Sequence, residues 1–172
     1  MNFNIIVAYC NNNGIGKNNK LPWKIPSDLK KFKNLTTGKG NNCIIMGKNT
    51  WLSLNETPLP SRDNLILSSS INNNNLNNNT KIFKNFDELY NYLTNKTYDE
   101  IWIIGGNSIY NLFLNINMVN INYIYITYID KFIECDTFFP TINKKYSFIS
   151  KNIHSYDFSY NIYDVIYKNQ ML

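Results

Sequence analysis

The chain has 172 residues, 44% of them hydrophobic, which is enough for one well-covered core and too few for two ordinary domains. No stretch approaches the roughly 20 apolar residues of a membrane-spanning helix, and Met1–Val7 contain no basic leader, so we expect a soluble, cytoplasmic protein without a membrane partner. The net charge of +5 comes from scattered lysines, a pattern that disfavours a nucleic-acid-binding surface.

Apolar runs bounded by polar turns predict strands in chain order at Asn4–Cys10, Cys43–Met46, Asn64–Leu67, Lys81–Phe83, Ile101–Ile104, Asn122–Ile129, Tyr146–Ser150 and Asn161–Tyr167. Helical patterns lie between them at Ser27–Leu35, Asn49–Leu54, Phe86–Thr94 and Asn107–Leu114. This alternation predicts an α/β sheet that is mostly parallel, with crossover helices. The last two runs have no helix between them, so we expect an antiparallel hairpin at the edge of the sheet.

Two further features are local. The asparagines of Asn72–Asn79, interrupted by Leu76, have nothing to bury and predict a mobile surface loop. The three cysteines form no CxxC pair and lie far in sequence from the single histidine, His154, so we expect no metal site. We interpret the cysteines as small buried side chains in a reducing compartment.

The segment Leu21–Phe32 carries the first candidate for chemistry. Pro26 can begin a helix, and Asp28 then lies near the positive end of the helix dipole. Helical spacing also places Asp28 on one face with Phe32 and Leu35, which is apolar apart from the carboxylate. The spacing alone leaves two interpretations open: a carboxylate that stabilises the helix N-terminus, or one that binds a ligand.

The segment Ile44–Trp51 is a buried strand followed by Gly47-Lys48 and the start of a helix. It is not a nucleoside-triphosphate loop, because Asn42 replaces the earlier glycine and Asn49 replaces the hydroxyl that would reach magnesium. What remains is a helix N-terminus beside a lysine, a general phosphate seat.

The segment Ile101–Tyr110 is a hydrophobic strand that ends in Gly105-Gly106 and continues into a helix. Glycines at this position allow backbone amides to approach a pyrophosphate. Gly14-Ile15-Gly16 is too short to supply a GxGxxG motif after the first strand, which disfavours a standard Rossmann domain.

Taken together and in order, these segments resemble the dihydrofolate reductase family over nearly the whole chain. The resemblance rests on Ile5–Ala8, Gly14–Gly16, Leu21–Phe32, Met46–Trp51, Leu59–Arg62, Ile104–Gly106, Tyr110, Tyr125–Thr127 and Asp136–Pro140. It implies one domain over residues 1–172, with a central eight-stranded, mostly parallel sheet, an antiparallel C-terminal edge and about four flanking helices. It also implies NADPH-dependent reduction of dihydrofolate to tetrahydrofolate, a step that supports one-carbon metabolism and thymidylate synthesis, by a cytoplasmic protein that is expected to be a monomer.

The resemblance assigns the substrate-binding and catalytic roles. Asp28 is similar to the family's only ionisable pocket residue, which binds the pterin 2-amino group and N3. Thr127 would support that carboxylate, and Trp23 would order the water that reaches the pterin. The ring pocket would be lined by Ile6, Val7, Ala8, Leu29, Phe32, Thr50, Leu54, Ile104 and Tyr110. Whether Asp28 relays the proton to N5 or only polarises the pterin stays open.

Arg62 is the only arginine among 17 basic residues. The resemblance makes it the clamp for the α-carboxylate of the glutamate tail. The alternatives are a chance survivor of codon bias or a structural ion pair with Asp63 or another acid.

The cofactor roles follow from the same resemblance. Phosphate contacts would come from Lys48, Asn49 and Thr50, with Ser69 beside the 2′-phosphate and Gly105, Gly106 and Asn107 under the pyrophosphate. Further cofactor contacts are expected from Ala8, Gly47, Ser68, Ile104, Ser108 and Tyr110, and the loop that closes over the nicotinamide would contain Ile15, Gly16, Asn19 and Leu21. The sequence departs from the family where Lys48 replaces a frequent arginine and Asn107-Ser108 replace a glycine-arginine pair.

Two rival functions remain. A riboflavin-pathway reductase shares the fold but has no use for a carboxylate clamp at Arg62. A nonenzymatic basic module would bind nucleic acid through aromatic side chains, although aromatics within strands are more often core residues.

Overall fold

Eight strands form the main sheet of the computed structural model, which describes residues 1–71, 77–157 and 160–170. The strands in chain order are β1 (Phe3–Cys10), β2 (Gly14–Gly16), β3 (Cys43–Gly47), β4 (Asp63–Leu67), β5 (Thr80–Phe83), β6 (Ile101–Gly105), β7 (Ile121–Ile129), β8 (Thr137–Phe138), β9 (Tyr146–Asp157) and β10 (Tyr160–Asn169). The main sheet has the order β5-β4-β3-β6-β1-β7-β10-β9, and β2 pairs with β8 in a separate two-stranded sheet.

The first six strands of that order are parallel, and β10 runs antiparallel to both β7 and β9. The mostly parallel sheet with an antiparallel C-terminal edge is therefore confirmed. The near-continuous apolar runs reflect burial of the strands on both faces of the sheet. In β3, for example, Cys43, Ile44, Ile45 and Met46 are all fully buried.

Four helices connect the strands: α1 (Pro26–Thr37), α2 (Lys48–Ser53), α3 (Phe86–Thr94) and α4 (Asn107–Asn115). Pro26 occupies the first position of α1, and the helix ends at Gly38, whose φ of 53° is accessible to glycine. The side chain of Asn85 caps α3 by accepting a hydrogen bond from the amide of Glu88. No helix in the described part of the chain is long and apolar enough to cross a membrane.

The sheet buries a hydrophobic cluster on each side. Alternation along β1 sends Ile5 and Val7 into one cluster and Ile6 into the other, where it joins Trp51 and Trp102. The two faces are therefore both covered by helices or loops, as the α/β pattern predicts.

The structure adds one sheet that the sequence did not predict. The strands β2 and β8, of three and two residues, are too short to show a hydrophobic period. Residues 72–76 of the asparagine-rich segment, predicted to be a mobile loop, lie outside the described residues. At the end of the segment, the backbone amide of Asn64 donates to the carbonyl of Asn79 at 2.7 Å.

The parallel strands position the site. Because β5, β4, β3 and β6 run in the same direction, the segments that follow them meet at one edge of the sheet. These segments contain Lys84, Ser68–Ser70, Lys48 and Gly106.

Candidate active site

A cleft of about 1130 Å³ crosses this edge of the sheet. Its volume is slightly above the roughly 300–1,000 Å³ that is usual for a small-molecule pocket. Of the residues predicted for the site, those that line the cleft are Ile6, Val7, Ala8, Ile15, Gly16, Asn19, Leu21, Asp28, Leu29, Phe32, Gly47, Lys48, Asn49, Thr50, Leu54, Arg62, Ser68, Ser69, Ile104, Gly106, Asn107, Ser108 and Tyr110.

Asp28 is the only acidic side chain among the described residues that line this cleft. It lies in the first turn of α1, and its Oδ1 accepts a hydrogen bond of 2.6 Å from the hydroxyl of Thr127 on β7. Thr127 is 2% exposed and lies opposite Ala8 of β1. Since the Asp28 carboxylate bonds a strand residue and not a helix amide within the described residues, the geometry favours the ligand-binding interpretation.

Trp23 is not among the residues that line the cleft. It packs against a small cluster that contains Cys10, Ile25, Ile129 and Ile162. Its buried indole N–H has no acceptor among the described residues, and buried donors in proteins usually bind a partner.

Gly105 is also not among the residues that line the cleft, and its place beneath a pyrophosphate stays a prediction. Its φ is +106°, and a Cβ atom there would lie 2.8 Å from the ring of Tyr110. The hydroxyl of Tyr110 donates to the carbonyl of Ile6 at 2.9 Å, and burial raises the pKa of this phenol. Gly105 therefore makes room for a tyrosine that ties α4 to β1, while Gly106 alone lines the cleft. The peptide bond between the two glycines is cis.

Arg62 is 5% exposed and precedes β4, whereas Ser68–Ser70 follow the other end of this strand. Its Nε donates to the carbonyl of Pro60 at 3.0 Å, and its Nη1 donates to the hydroxyl of Thr36. Within the described residues no carboxylate lies within ion-pair distance, so the predicted alternative of a structural pair with Asp63 is wrong. Burial without an anion lowers the pKa of the guanidinium, as expected for a charge that has lost water.

The turn that carries Arg62 is held by Asn64, which is fully buried. Its amide group donates to the carbonyls of Leu59 and Arg62, both at 3.0 Å, and its oxygen accepts from the amide of Leu59 at 2.9 Å. Asn79 donates to the same Arg62 carbonyl at 3.3 Å. The backbone of the arginine is thus fixed on both sides of the turn.

At the other end, the cleft is cationic and rich in hydroxyl groups. The ammonium of Lys48 donates to Ser70 at 3.1 Å, so Ser70 joins the predicted Ser68 and Ser69. Lys84 also lines this end and was not predicted. Its position directly after β5 is the signal that could have found it, because neighbouring parallel strands end at the same edge.

Other lining residues that the sequence reasoning missed are Lys20, Lys33, Ser53, Leu59, Pro60, Leu67, Asn85, Phe86, Leu112 and Thr137. Two predicted residues, Leu21 and Leu29, are each 53% exposed at this cleft. Exposed leucines beside a concave surface are typical of a ligand-binding site.

The loop that contains Ile15, Gly16, Asn19 and Leu21, expected to close over the nicotinamide, is hydrogen-bonded to the segment around Asp136. The carboxylate of Asp136 accepts from the amide of Asn18 at 2.7 Å, and the amide of Asp136 donates to the carbonyl of Gly16 at 3.0 Å. The amide of Asn18 and the hydroxyl of Thr137 lower the pKa of Asp136, because both donate to its ionised form. Asp136 belongs to a segment that the sequence singled out, but nothing local reveals its partner.

The sequence model of the family described as dihydrofolate reductase matches residues 2–169. The chain is 41% identical to the dihydrofolate reductase of Buchnera aphidicola over 142 residues, covering 82% of this chain and 79% of that one. It is 37% identical to the dihydrofolate reductase of Haemophilus influenzae over 144 residues, covering 83% and 81%.

Among solved structures, the fold is similar to dihydrofolate reductase from Enterococcus faecalis complexed with NADP(H) and RAB-propyl. The TM-score is 0.82 with 26% identity, and the match covers 98% of this chain and 96% of that one. With the fold, the cleft and the sequence in agreement, the chain belongs to the dihydrofolate reductase family.

Proposed function

We propose that the cleft carries out the reaction of its family, the NADPH-dependent reduction of 7,8-dihydrofolate to 5,6,7,8-tetrahydrofolate, through the residues named below. The observation that carries the proposal is the carboxylate of Asp28, held by Thr127 in a cleft whose other charged lining residues, among those described, are cationic. NADPH supplies the hydride to C6, and the protein must position the pterin, exclude water and help a proton to reach N5.

Asp28 and its neighbours take the pterin. The carboxylate accepts from the 2-amino group and N3, while Leu29, Phe32, Leu54 and Ile104 contact the ring. The indole N–H of Trp23 binds the water that joins the pterin to the protein. This assignment is supported by the single acidic group in the cleft and by the apolar wall beside it.

Arg62 takes the α-carboxylate of the glutamate tail. A guanidinium offers a planar fork that binds a carboxylate through two parallel hydrogen bonds. Burial of Arg62 beside the cleft, with no acidic partner in the described part of the chain, supports this role over that of a surface charge.

The residues at the cationic end fit the cofactor. The ammonium groups of Lys48 and Lys84, together with Ser69 and Ser70, suit the 2′-phosphate. A Cβ at Gly106 would meet nothing closer than the hydroxyl of Thr50 at 3.6 Å, so the backbone leaves an open approach to the amides that begin α4.

The finer features of location and assembly are proposals too. The protein acts as a single domain and as a monomer in the cytoplasm. The main sheet draws strands from Phe3 to Asn169, which supports one domain.

The direct test is the loss of absorbance at 340 nm when the purified chain is mixed with NADPH and dihydrofolate. We expect turnover with dihydrofolate and none with the ribosylamino-pyrimidine of the riboflavin pathway. Turnover of the pyrimidine without turnover of dihydrofolate would overturn the proposal.

A further inference from the structure

A chain of polar contacts leads away from Asp28 on the side remote from the cleft. The ammonium of Lys31 donates to the hydroxyl of Thr127 at 3.1 Å and to Oδ1 of Asp164 at 2.5 Å. His154 continues the chain, with Nδ1 at 3.0 Å from Oδ1 of Asp164. Its Nε2 lies 3.1 Å from the hydroxyl of Ser27, the residue before Asp28.

The fold builds this network from four elements. Lys31 follows Asp28 by three residues on α1 and therefore lies on the same side of the helix. Thr127 of β7 and Asp164 of β10 are directly opposite each other in the antiparallel ladder. The side chains of Lys31 and His154 are largely shielded from water, at 19% and 9% exposed, whereas Asp164 is 31% exposed and Ser27 is exposed.

The donor and acceptor capacities of these groups favour one orientation. An ammonium can only donate, so the oxygen of Thr127 must accept from Lys31, which occupies one of its two lone pairs. The single proton of the hydroxyl is donated to the carboxylate oxygen of Asp28 at 2.6 Å. The ammonium therefore favours the orientation in which Thr127 donates to an ionised Asp28, both by its contact with the hydroxyl oxygen and by its positive charge.

We infer that Lys31 is a positioning residue for the reduction, which holds the Thr127 hydroxyl so that it donates to Asp28. Asp164 and His154 hold the ammonium in turn. This leaves the other oxygen of Asp28 as the one that faces the pterin and carries any exchanged proton. The inference rests on the role proposed for Asp28.

The test is the pH dependence of single-turnover hydride transfer in the full chain, with Lys31→Met as the first variant. Without the ammonium, the Thr127 hydroxyl is no longer held in the orientation that donates to Asp28, and a positive charge is lost. Both changes favour the protonated carboxyl, so the midpoint of the pH–rate profile should move to higher pH by about half a unit to one unit. Lys31→Arg, which keeps a donor cation, should retain most of the wild-type midpoint.

Lys30→Met is the matched control. It removes the same charge from the adjacent, exposed position of α1, and Lys30 does not line the cleft. Its midpoint should stay at the wild-type value. Lys31→Gln provides a second uncharged variant if Lys31→Met does not fold, and thermal unfolding of each variant checks this.

Two double variants distinguish a positioning role of Lys31 from a general structural effect of its removal. Lys31→Met/Asp164→Asn also removes the carboxylate that Lys31→Met leaves without its lysine partner, and the shift should persist. In Thr127→Val, removal of Lys31 should add little, because the hydroxyl through which it acts is gone.

The inference is overturned if Lys31→Met shifts the midpoint no more than Lys30→Met does, if the Lys31 and Thr127 effects add fully, or if Asp28→Asn keeps the wild-type titration. Failure of the wild-type chain to reduce dihydrofolate at all would instead overturn the proposed function.

Discussion

The carboxylate of Asp136 accepts a hydrogen bond of 2.7 Å from the backbone amide of Asn18, across 118 residues of sequence. Asn18 has a φ of 51°, so this amide is presented by a turn in the left-handed region. The contact joins the loop that carries Ile15, Gly16 and Asn19 of the cleft to the segment after β7. The exposed carboxylate of Asp136 therefore helps to hold this part of the cleft lining in place.

Replacing the Asp136 carboxylate should therefore make the loop that contains Ile15, Gly16 and Asn19 more mobile. We expect Asp136→Asn to slow single-turnover hydride transfer several-fold at pH 7, with little change in the free energy of unfolding. Glu134→Gln is the control, because its ion pair with Lys17 is exposed and should contribute little. Equal rates for Asp136→Asn and the wild type would show that this contact does not order the loop.

The same contact has a definite pH dependence. The pKa of Asp136 is lowered in the folded chain because Asn18 and Thr137 donate to the ionised carboxylate. Its contribution is thus fully present above the ordinary aspartate pKa and is lost as the pH falls through the lowered value. Hydrogen exchange of the Asn18 amide should be slow at neutral pH and should lose its protection only in strong acid. Loss of protection near neutral pH would contradict this assignment.

Substitution of the buried arginine tests the carboxylate clamp. Arg62→Lys keeps the charge but loses the fork, so we expect KM for dihydrofolate to rise by about 5- to 150-fold, equivalent to about 1–3 kcal/mol. The value of kcat should change little, because the tail is bound alike in the ground and transition states. A pterin substrate without the benzoylglutamate tail is the control, and equal damage to both substrates would argue against the clamp.

Substitution of the only cleft carboxylate tests the proton chemistry. Asp28→Asn keeps the shape and removes the ionisation, so we expect a large fall in kcat and the loss of the wild-type titration from the pH–rate profile. A near-normal rate with an unchanged profile would return Asp28 to a role at the helix N-terminus.

Cofactor selectivity tests the cationic end of the cleft. We expect NADPH to be preferred over NADH by about ten- to hundred-fold in kcat/KM, since a charge-assisted hydrogen bond contributes about 1.5–3 kcal/mol. Lys48→Ala and Lys84→Ala should each narrow the preference. Lys81→Ala is the control, because Lys81 lies over the ring of Tyr92 and does not line the cleft. The assignment of Lys48 and Lys84 to the cofactor phosphate is wrong if all three variants show the same preference for NADPH over NADH.

The sequence predicts most of the features that are determined by residues close together in the chain. The apolar runs and their polar boundaries identify the main-sheet strands, because burial on two faces leaves a continuous hydrophobic signal in segments such as Cys43–Met46. Asp28 and Arg62 stand out for a related reason, since each is an unusual residue in its surroundings.

What the sequence does not predict depends on contacts between distant segments. In the sequence, nothing distinguishes Gly105 from the adjacent Gly106. In the structure their roles differ because only Gly105 lies against the ring of Tyr110. The network at Lys31 requires the pairing of β7 with β10, and a lysine beside another lysine looks like an ordinary solvated surface. The short β2–β8 sheet joins residues more than a hundred positions apart and has no periodicity to reveal it.

The turn around Arg62 has a consequence for ligand design. Asn64 and Asn79 bind its backbone, and Pro60 and Thr36 bind its guanidinium, so this side chain is already ordered before any anion arrives. Immobilising a flexible side chain on binding usually costs about 0.5–1.5 kcal/mol, and here that entropy is lost during folding instead. A rigid carboxylate mimic that reaches Arg62 should gain affinity mainly through enthalpy. For a flexible analogue, the conformational entropy lost on binding should come from the ligand alone and not from the arginine.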